Sequence, residues 1–416
     1  MPGTILFVNH NCYLDDSNGA AVASRNQMEA LARWGFEVEA LTGSVVELGE
    51  EVNAAAWLAA RGLDAPLLGG TWTADVGGVR VDVPPHFHLT VNGVAVTIHA
   101  GHSTRSHHPG PAEHAEFLRL FEMIAARGCP DIVVGYGGAS MIAEVFAQVR
   151  ARGGSTVFAL HNFAYDDRSA FANIDKLVVP SRFSAEHYRR MLGLDCAVMP
   201  NLVNFDQVRC DRPTPGYVTF VNPSVEKGVY AFARIADELG RTRPDIPFLL
   251  VEGRGTEATV AACGLDLRRR GTVHFINHPP DPRRFWRETR ICLMPSLWLE
   301  SQGLVAIEAM INGIPVIASD RGALPETLGR AGVVLPLPDR ITPGSRVLPT
   351  PEEAAPWVEA IIRLWDDADF LDDRGRKSES EAKRWAPELV EPLHVAFFAA
   401  LRASSEETFR LARVGF

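Results

Sequence analysis

Glu300 and Glu308 stand eight positions apart in the stretch Pro295–Gly322, PSLWLESQGLVAIEAMINGIPVIASDRG, in otherwise apolar surroundings. Gly303 to Asn312 reads as a helix, with Gly313 as its left-handed stop and Pro315 just beyond. Glu300 then precedes the helix and Glu308 lies inside it. The first-turn amides, around Ser301, Gln302, Gly303, Leu304 and Val305, form a positive pole suited to a phosphate or a hydroxyl cluster. Gly303 lets a ligand approach that backbone closely. One carboxylate at the mouth and another about a turn and a half down could hold two sets of vicinal hydroxyls. That is the shape of a nucleotide-sugar, with hexose at Glu300, diphosphate at the amides and ribose at Glu308. On spacing alone, the plainer reading of a cap and a solvated helix glutamate is the stronger one.

Other residues could carry chemistry. The chain has only four lysines, Lys176, Lys227, Lys377 and Lys383, in a background of arginine typical of a high-GC bacterial genome. Lys227 therefore stands out. His161 ends the strand-like run TVFALH, where ligands meet the carboxyl edge of a parallel sheet; a core histidine is the plainer alternative. His99, His102, His107 and His108 invite a metal reading, but their spacing is irregular and no cysteine or acidic motif accompanies them. They read as a polar, acceptor-side loop, and no metal is expected. The six cysteines are scattered without a CxxC pair, so neither a disulfide framework nor a zinc site is expected from them. No D-x-D pair suited to a metal diphosphate is evident; Asp15-Asp16 and Asp166-Asp167 read as loop residues.

The elements that must position these residues follow a βαβα rhythm. TILFV, EVEALT, DIVVGY, STVFALH and KLVVPS read as strands, most of them followed by helix-compatible sequence, and Gly35 stops a helix near Ala20–Trp34. The region 64–110, rich in Gly, Pro and His, breaks the rhythm with GVRVDV and GVAVTIHA, read as short inserted β-segments. After the Pro-rich joint CDRPTPG the rhythm restarts: YVTFVN, a helix KGVYAFARIADELG ended by its glycine, then FLLVEG, VHFIN, ICLMPS and PVIAS. The expected fold class is α/β, with two parallel-sheet domains carrying helices on both faces. The boundaries are 1–205, 206–385, and a C-terminal helix in 386–416 packing back on the first domain. A length of 416 residues suits two such domains. Hydrophobic content of 46%, charged content of 22% and a net charge of −10 describe a soluble globular chain and exclude bulk nucleic-acid binding. MPGTILFVNHNC reads as a first strand and not as a signal peptide, and no apolar run approaches the roughly 20 residues of a membrane span. A cytoplasmic protein is expected.

The segment ESQGLVAIE resembles the E-x7-E motif of the retaining glycosyltransferases of family 4, and PSLWLESQGLVAIEAMINGIPVIASDRGALPE resembles that family over some thirty positions. FVNHNCYLDDSNGAA, VVPSRFSAE, VMPNLVNFD, VNPSVEKG and LLVEGRGTE resemble its other segments in the same order. The resemblance implies the GT-B fold, two Rossmann-like domains facing across a cleft. It implies transfer of a sugar from a nucleoside diphosphate with retained configuration and without metal or organic cofactor. It gives Lys227 the phosphates, Glu300 and His161 the sugar, and Glu308 the ribose. Asn18 and Gly19 match its first-domain phosphate loop. Where the family usually has an arginine, five residues before the lysine, this chain has Asn222; Arg254 is the nearest substitute.

Retention could imply a carboxylate nucleophile, but the loop position of Glu300 beside sugar hydroxyls favours front-face attack, with the departing phosphate taking the acceptor's proton. The helices of the first domain are acidic or mixed, so stable membrane association is not expected and a small soluble acceptor is. The competing readings are a polysaccharide or lipid glycosyltransferase, a GT-B nucleotide-sugar epimerase and a non-catalytic sugar-binding protein. A nicotinamide enzyme lacks its G-x-G-x-x-G here.

Overall fold

The computed structural model of the chain describes residues 3–47, 51–70, 73–76, 79–212, 215–268 and 271–414. The chain divides into two compact units. One comprises residues 1–180, 185–202 and 390–416, the other residues 181–184 and 203–389.

The first unit is built on a nine-stranded sheet. Its strands are β1 (Thr4–Asn11), β2 (Glu37–Val45), β3 (Leu67–Leu68), β6 (His86–Val91), β7 (Val94–His99), β8 (Ile132–Gly135), β9 (Ser155–Ala159), β10 (Lys176–Val179) and β11 (Cys196–Val198). The intervening β4 (Thr73–Val76) and β5 (Val79–Asp82) form a separate antiparallel hairpin. The order is β11-β10-β9-β8-β1-β2-β7-β6-β3. All neighbours are parallel except at β3 and β6, which run antiparallel at one edge. Along β1, Ile5 and Phe7 enter one core while Leu6 and Val8 enter another. Both faces are buried, which is why the strand reads as a continuous apolar run and not as an alternation.

The GVAVTIHA segment belongs to the main sheet: β7 lies parallel to β2, with Leu41 opposite Thr97, and β6 pairs back on it. The irregular region thus widens the sheet as well as decorating it. Gly78, which opens GVRVDV, lies outside the described residues.

The second unit holds six parallel strands, β12 (Tyr217–Val221), β13 (Phe248–Val251), β14 (Val273–Ile276), β15 (Thr289–Met294), β16 (Val316–Ser319) and β17 (Val333–Leu335). Their order is β14-β13-β12-β15-β16-β17. Strand order reverses between β12 and β15, and the carboxyl ends of strands at such a switch point are where open α/β sheets bind ligands. The helix after β12 spans Val229–Thr242, so Gly240 sits inside its last turn and does not end it. The helical periodicity of ADELGRT outweighed the cost of about 1 kcal/mol for one interior glycine.

The last helix, Pro387–Val414, returns to the first unit from Val390 onward. Val390 packs with Ala30 and Leu202, and Phe398 and Leu401 join the core on one face of the first sheet. Glu391 pairs with Arg33 at 2.5 Å and accepts from the Trp34 indole at 2.8 Å, while His394 meets Gln27 at 2.8 Å.

Candidate donor and acceptor sites

In the second unit, Lys227 lies in the turn after β12 and Glu300 in the loop after β15, so the switch point brings them together. Lys227 Nζ stands 2.5 Å from Glu300 Oε1. The same carboxylate oxygen accepts from Ser296 Oγ at 2.8 Å. The loop carrying Glu300 is pinned from several sides. Leu297 and Trp298 amides both donate to the Glu226 carbonyl at 2.9 Å, and Ser319 Oγ donates to the Ser296 carbonyl at 2.6 Å. The Glu300 backbone also bridges to Gly322. Glu300 is buried, 7% exposed, while Lys227 is half-buried, so the ammonium is the partner that an incoming ligand can reach. Gly228 and Gly303 open the next helices at φ of 87° and 85°; a Cβ on Gly228 would lie 1.8 Å from the Pro295 carbonyl oxygen. Only glycine allows this closeness between the two loops.

The helix predicted over Gly303–Asn312 spans Leu304–Ile311, with Gly303 and Asn312 as its caps and Gly313 at φ of 62°. No side chain caps its N-terminus, and helix geometry leaves the Leu304 and Val305 amides without acceptors one turn back. Ser301 and Gln302 are fixed through their carbonyls, which accept from Ser184 Oγ and Thr327 Oγ1. An open helix terminus therefore stands next to the Lys227–Glu300 pair. Glu308 is part-buried and accepts from Trp286 Nε1 at 3.2 Å. Burial pushes its carboxyl up to about 7, against the smaller, opposite effect of the indole hydrogen bond.

Asn222 takes a left-handed backbone at φ of 57°, and its Oδ1 accepts from the Gly255 amide at 2.9 Å. It braces the EGRG loop, and that engagement weighs against a direct phosphate contact by its side chain. Arg254 is exposed at the tip of the same loop. Ser296 and Trp286, which orient the two glutamates, were not singled out by motif. Their signal was positional: a serine at the end of a strand, and an indole one helix away.

In the first unit, Asn18 caps the helix Gly19–Arg33, its Oδ1 accepting from Ala20 and Ala21 amides at 2.8 and 3.0 Å. Its Nδ2 donates to Glu47 at 2.8 Å. Those two amides are thus already satisfied beside a carboxylate, which weighs against a phosphate site on them. His161 follows β9, 3.4 Å from Ser24 Oγ and edge-on to Tyr136. Burial lowers its pKa to about 4, so it is neutral at physiological pH.

The four histidines separate. His99 is fully buried at the end of β7 and meets Glu116 at 3.0 Å, and its Nδ1 has no hydrogen-bond partner. His107 joins His10, near the end of β1, around the buried Glu113 of helix Pro111–Ala125, at 2.8 and 3.2 Å. His102 and His108 are not part of that group. His10 escaped sequence reasoning because it lies far from the histidine-rich segment, and Glu113, six residues after His107, because only the fold turns it towards both rings.

A family model for group 1 glycosyl transferases matches residues 212–367. A D-inositol 3-phosphate glycosyltransferase from Paenarthrobacter aurescens is 28% identical over 165 residues, 38% of this chain and 37% of that protein. The chain thus matches well under half the length of such curated relatives. Solved structures match nearly throughout. A sucrose-phosphate synthase from Thermosynechococcus elongatus is 16% identical at a TM-score of 0.67, covering 97% of this chain and 100% of its own. Anabaena HepE, solved in complex with UDP and glucose, is 14% identical at 0.65, again covering 97% and 100%. Residues 212–367 thus match the group 1 glycosyl transferases, and the two parallel-sheet units have the GT-B architecture of these solved structures.

Proposed function

We propose that this chain is a retaining glycosyltransferase that moves a sugar from a nucleoside-diphosphate sugar to a small soluble acceptor. The observation that carries this reading is the Lys227–Glu300 pair at 2.5 Å, beside an uncapped helix terminus at the switch point of the second sheet. In this reading the pyrophosphate draws the Lys227 ammonium away from Glu300, and the Leu304 and Val305 amides take the remaining phosphate charge. Glu300, held by Ser296, turns its carboxylate to the sugar hydroxyls, and Glu308 accepts from the ribose diol. The bond from the anomeric carbon to the phosphate oxygen breaks as the acceptor oxygen bonds on the same face. The acceptor's proton passes to the departing phosphate oxygen, whose charge Lys227 holds.

Support for a soluble acceptor is the state of the basic helix Arg182–Leu192. Arg189 and Arg190 share the single Glu186, at 2.7 and 3.6 Å, which halves the positive charge that this face offers to anionic lipid. No helix among the described residues is long and apolar enough to cross a membrane.

A thermal-shift screen with UDP, GDP, ADP and dTDP sugars tests donor binding, since a ligand of the folded state raises Tm by mass action. Incubating the best donor with and without candidate acceptors tests transfer. No response to any donor would overturn the reading, and epimerisation of donor without acceptor would replace it with an epimerase. Sedimentation with anionic vesicles at physiological salt would remove the soluble acceptor.

A further inference from the structure

We propose that His10, His107 and Glu113 form a binding site for one late-transition divalent cation, Zn2+ by ligand preference, in the first unit. The proposal does not depend on the transfer reaction. His107 Nδ1 lies 2.8 Å from the Arg105 carbonyl oxygen. A carbonyl only accepts, so this ring nitrogen carries the hydrogen and fixes the tautomer. Nε2 of the neutral ring then presents a lone pair to Glu113 Oε2 at 2.8 Å. Two acceptors approach that closely only with a positive charge between them, either the second proton of an imidazolium or a metal ion that replaces it. A backbone carbonyl that orients an imidazole so that its other nitrogen faces outward is also the usual second partner of a metal-bound histidine.

The rest of the group supplies the geometry. His10 Nε2 lies 3.2 Å from the other oxygen, Glu113 Oε1, and the three candidate ligand atoms all lie within 4.8 Å of one another. Zinc bonds of about 2.0–2.1 Å in tetrahedral arrangement place neighbouring ligand atoms about 3.3 Å apart, so the widest pair closes by up to about 1.5 Å and a water completes the fourth position. Two imidazole nitrogens and one carboxylate favour zinc over the harder magnesium or calcium. Glu113 is only 1% exposed, and a carboxylate so buried requires a counter-charge. Gly101 makes room for it: a Cβ there would lie 2.4 Å from Glu113 Oε1, so glycine is what lets the carboxylate occupy this position. The cation would clip the segment after β7 to the end of β1 and the first turn of helix Pro111–Ala125.

The test uses the full chain, stripped with a chelator and titrated with Zn2+, with Co2+ as a visible-absorption probe of the ligand field. One equivalent per chain is expected, together with a rise in Tm and a Co2+ spectrum of tetrahedral type. Loss of an outer-sphere partner alone costs ten- to a hundredfold in metal affinity, so His107→Ala should cost at least about a hundredfold. His102→Ala should bind as the native chain does. His107 is partly exposed, so its variant keeps the test valid should Glu113→Gln fail to fold. No stoichiometric uptake by the stripped protein, meaning that a proton alone bridges the pair, overturns the proposal. Equal affinity in His107→Ala does the same.

Discussion

Glu308 makes the donor reading testable by pH. Its carboxyl sits at about 7 against an ordinary value of 4.5, because burial disfavours the charge more than the Trp286 indole compensates. The difference corresponds to about 3 kcal/mol at 1.36 kcal/mol per pH unit. The sign for folding follows from proton binding. Between about 4.5 and 7 the folded state holds a proton that the unfolded state has lost, so this contribution to stability declines as pH rises through that window. Donor binding has the opposite sign, since ribose hydroxyls need the ionised carboxylate as acceptor. Calorimetric titration with the best donor from the thermal-shift screen, whose doubly esterified pyrophosphate does not titrate in this range, should show affinity falling towards tenfold per pH unit below about 7. In Glu308→Gln the slope should vanish. Its affinity at about pH 8 should be lower by about 1.5–3 kcal/mol, the range for a hydrogen bond to a charged group. A flat native profile, or an unchanged slope in the glutamine variant, refutes the ribose assignment.

Lys227→Ala should lower turnover about a hundredfold or more, the usual cost of about 3 kcal/mol for removing charge stabilisation from a transition state. Glu300→Gln should reduce turnover more than donor affinity, and a near-normal rate in steady-state assays would return that residue to a structural role. Trp286→Phe removes the one hydrogen bond that favours ionised Glu308, so the midpoint of the binding profile should move to higher pH; an unmoved midpoint counts against the indole's part. Gly228→Ala should destabilise the second unit by about 2 kcal/mol or more in denaturant titration, because its Cβ would overlap the Pro295 carbonyl. Transfer should proceed equally with and without added Mg2+ or Mn2+, and a requirement for either would show that Lys227 and the helix amides do not suffice for the diphosphate.

Much of the fold was legible because a doubly wound sheet writes itself locally. β1, β12 and β15 are short apolar runs bounded by polar loops, and the helix Leu304–Ile311 announces both ends with glycine. The placement of Glu300 and Glu308, one in a loop and the other in the helix that follows, was legible for the same reason. Less legible were features created by distance along the chain. Nothing near Glu113 indicates that His10, 103 positions earlier, will reach it. The role of Asn222 was hidden because its left-handed backbone and its bond to Gly255 depend on a loop thirty residues away. Gly240 misled because a glycine after a helical pattern is usually a stop, whereas here Arg241 pairs with Asp237 and Thr242 Oγ1 donates to the Glu238 carbonyl one turn back.

The return of the last helix to the first unit bears on how the chain is made. Residues 203–389 are contiguous but for four visiting residues, so nearly all of that unit's contacts can form once they have left the ribosome. The first unit cannot finish in its turn. One face of its sheet waits for Phe398 and Leu401, and Leu202 and Ala30 wait for Val390. At a synthesis rate of about 5–20 residues per second, the roughly 190 residues between Leu202 and Val390 take on the order of 10–40 seconds. Through that interval the nascent first unit carries uncovered apolar surface, so the half translated first is the last to close and the one most exposed to chaperones.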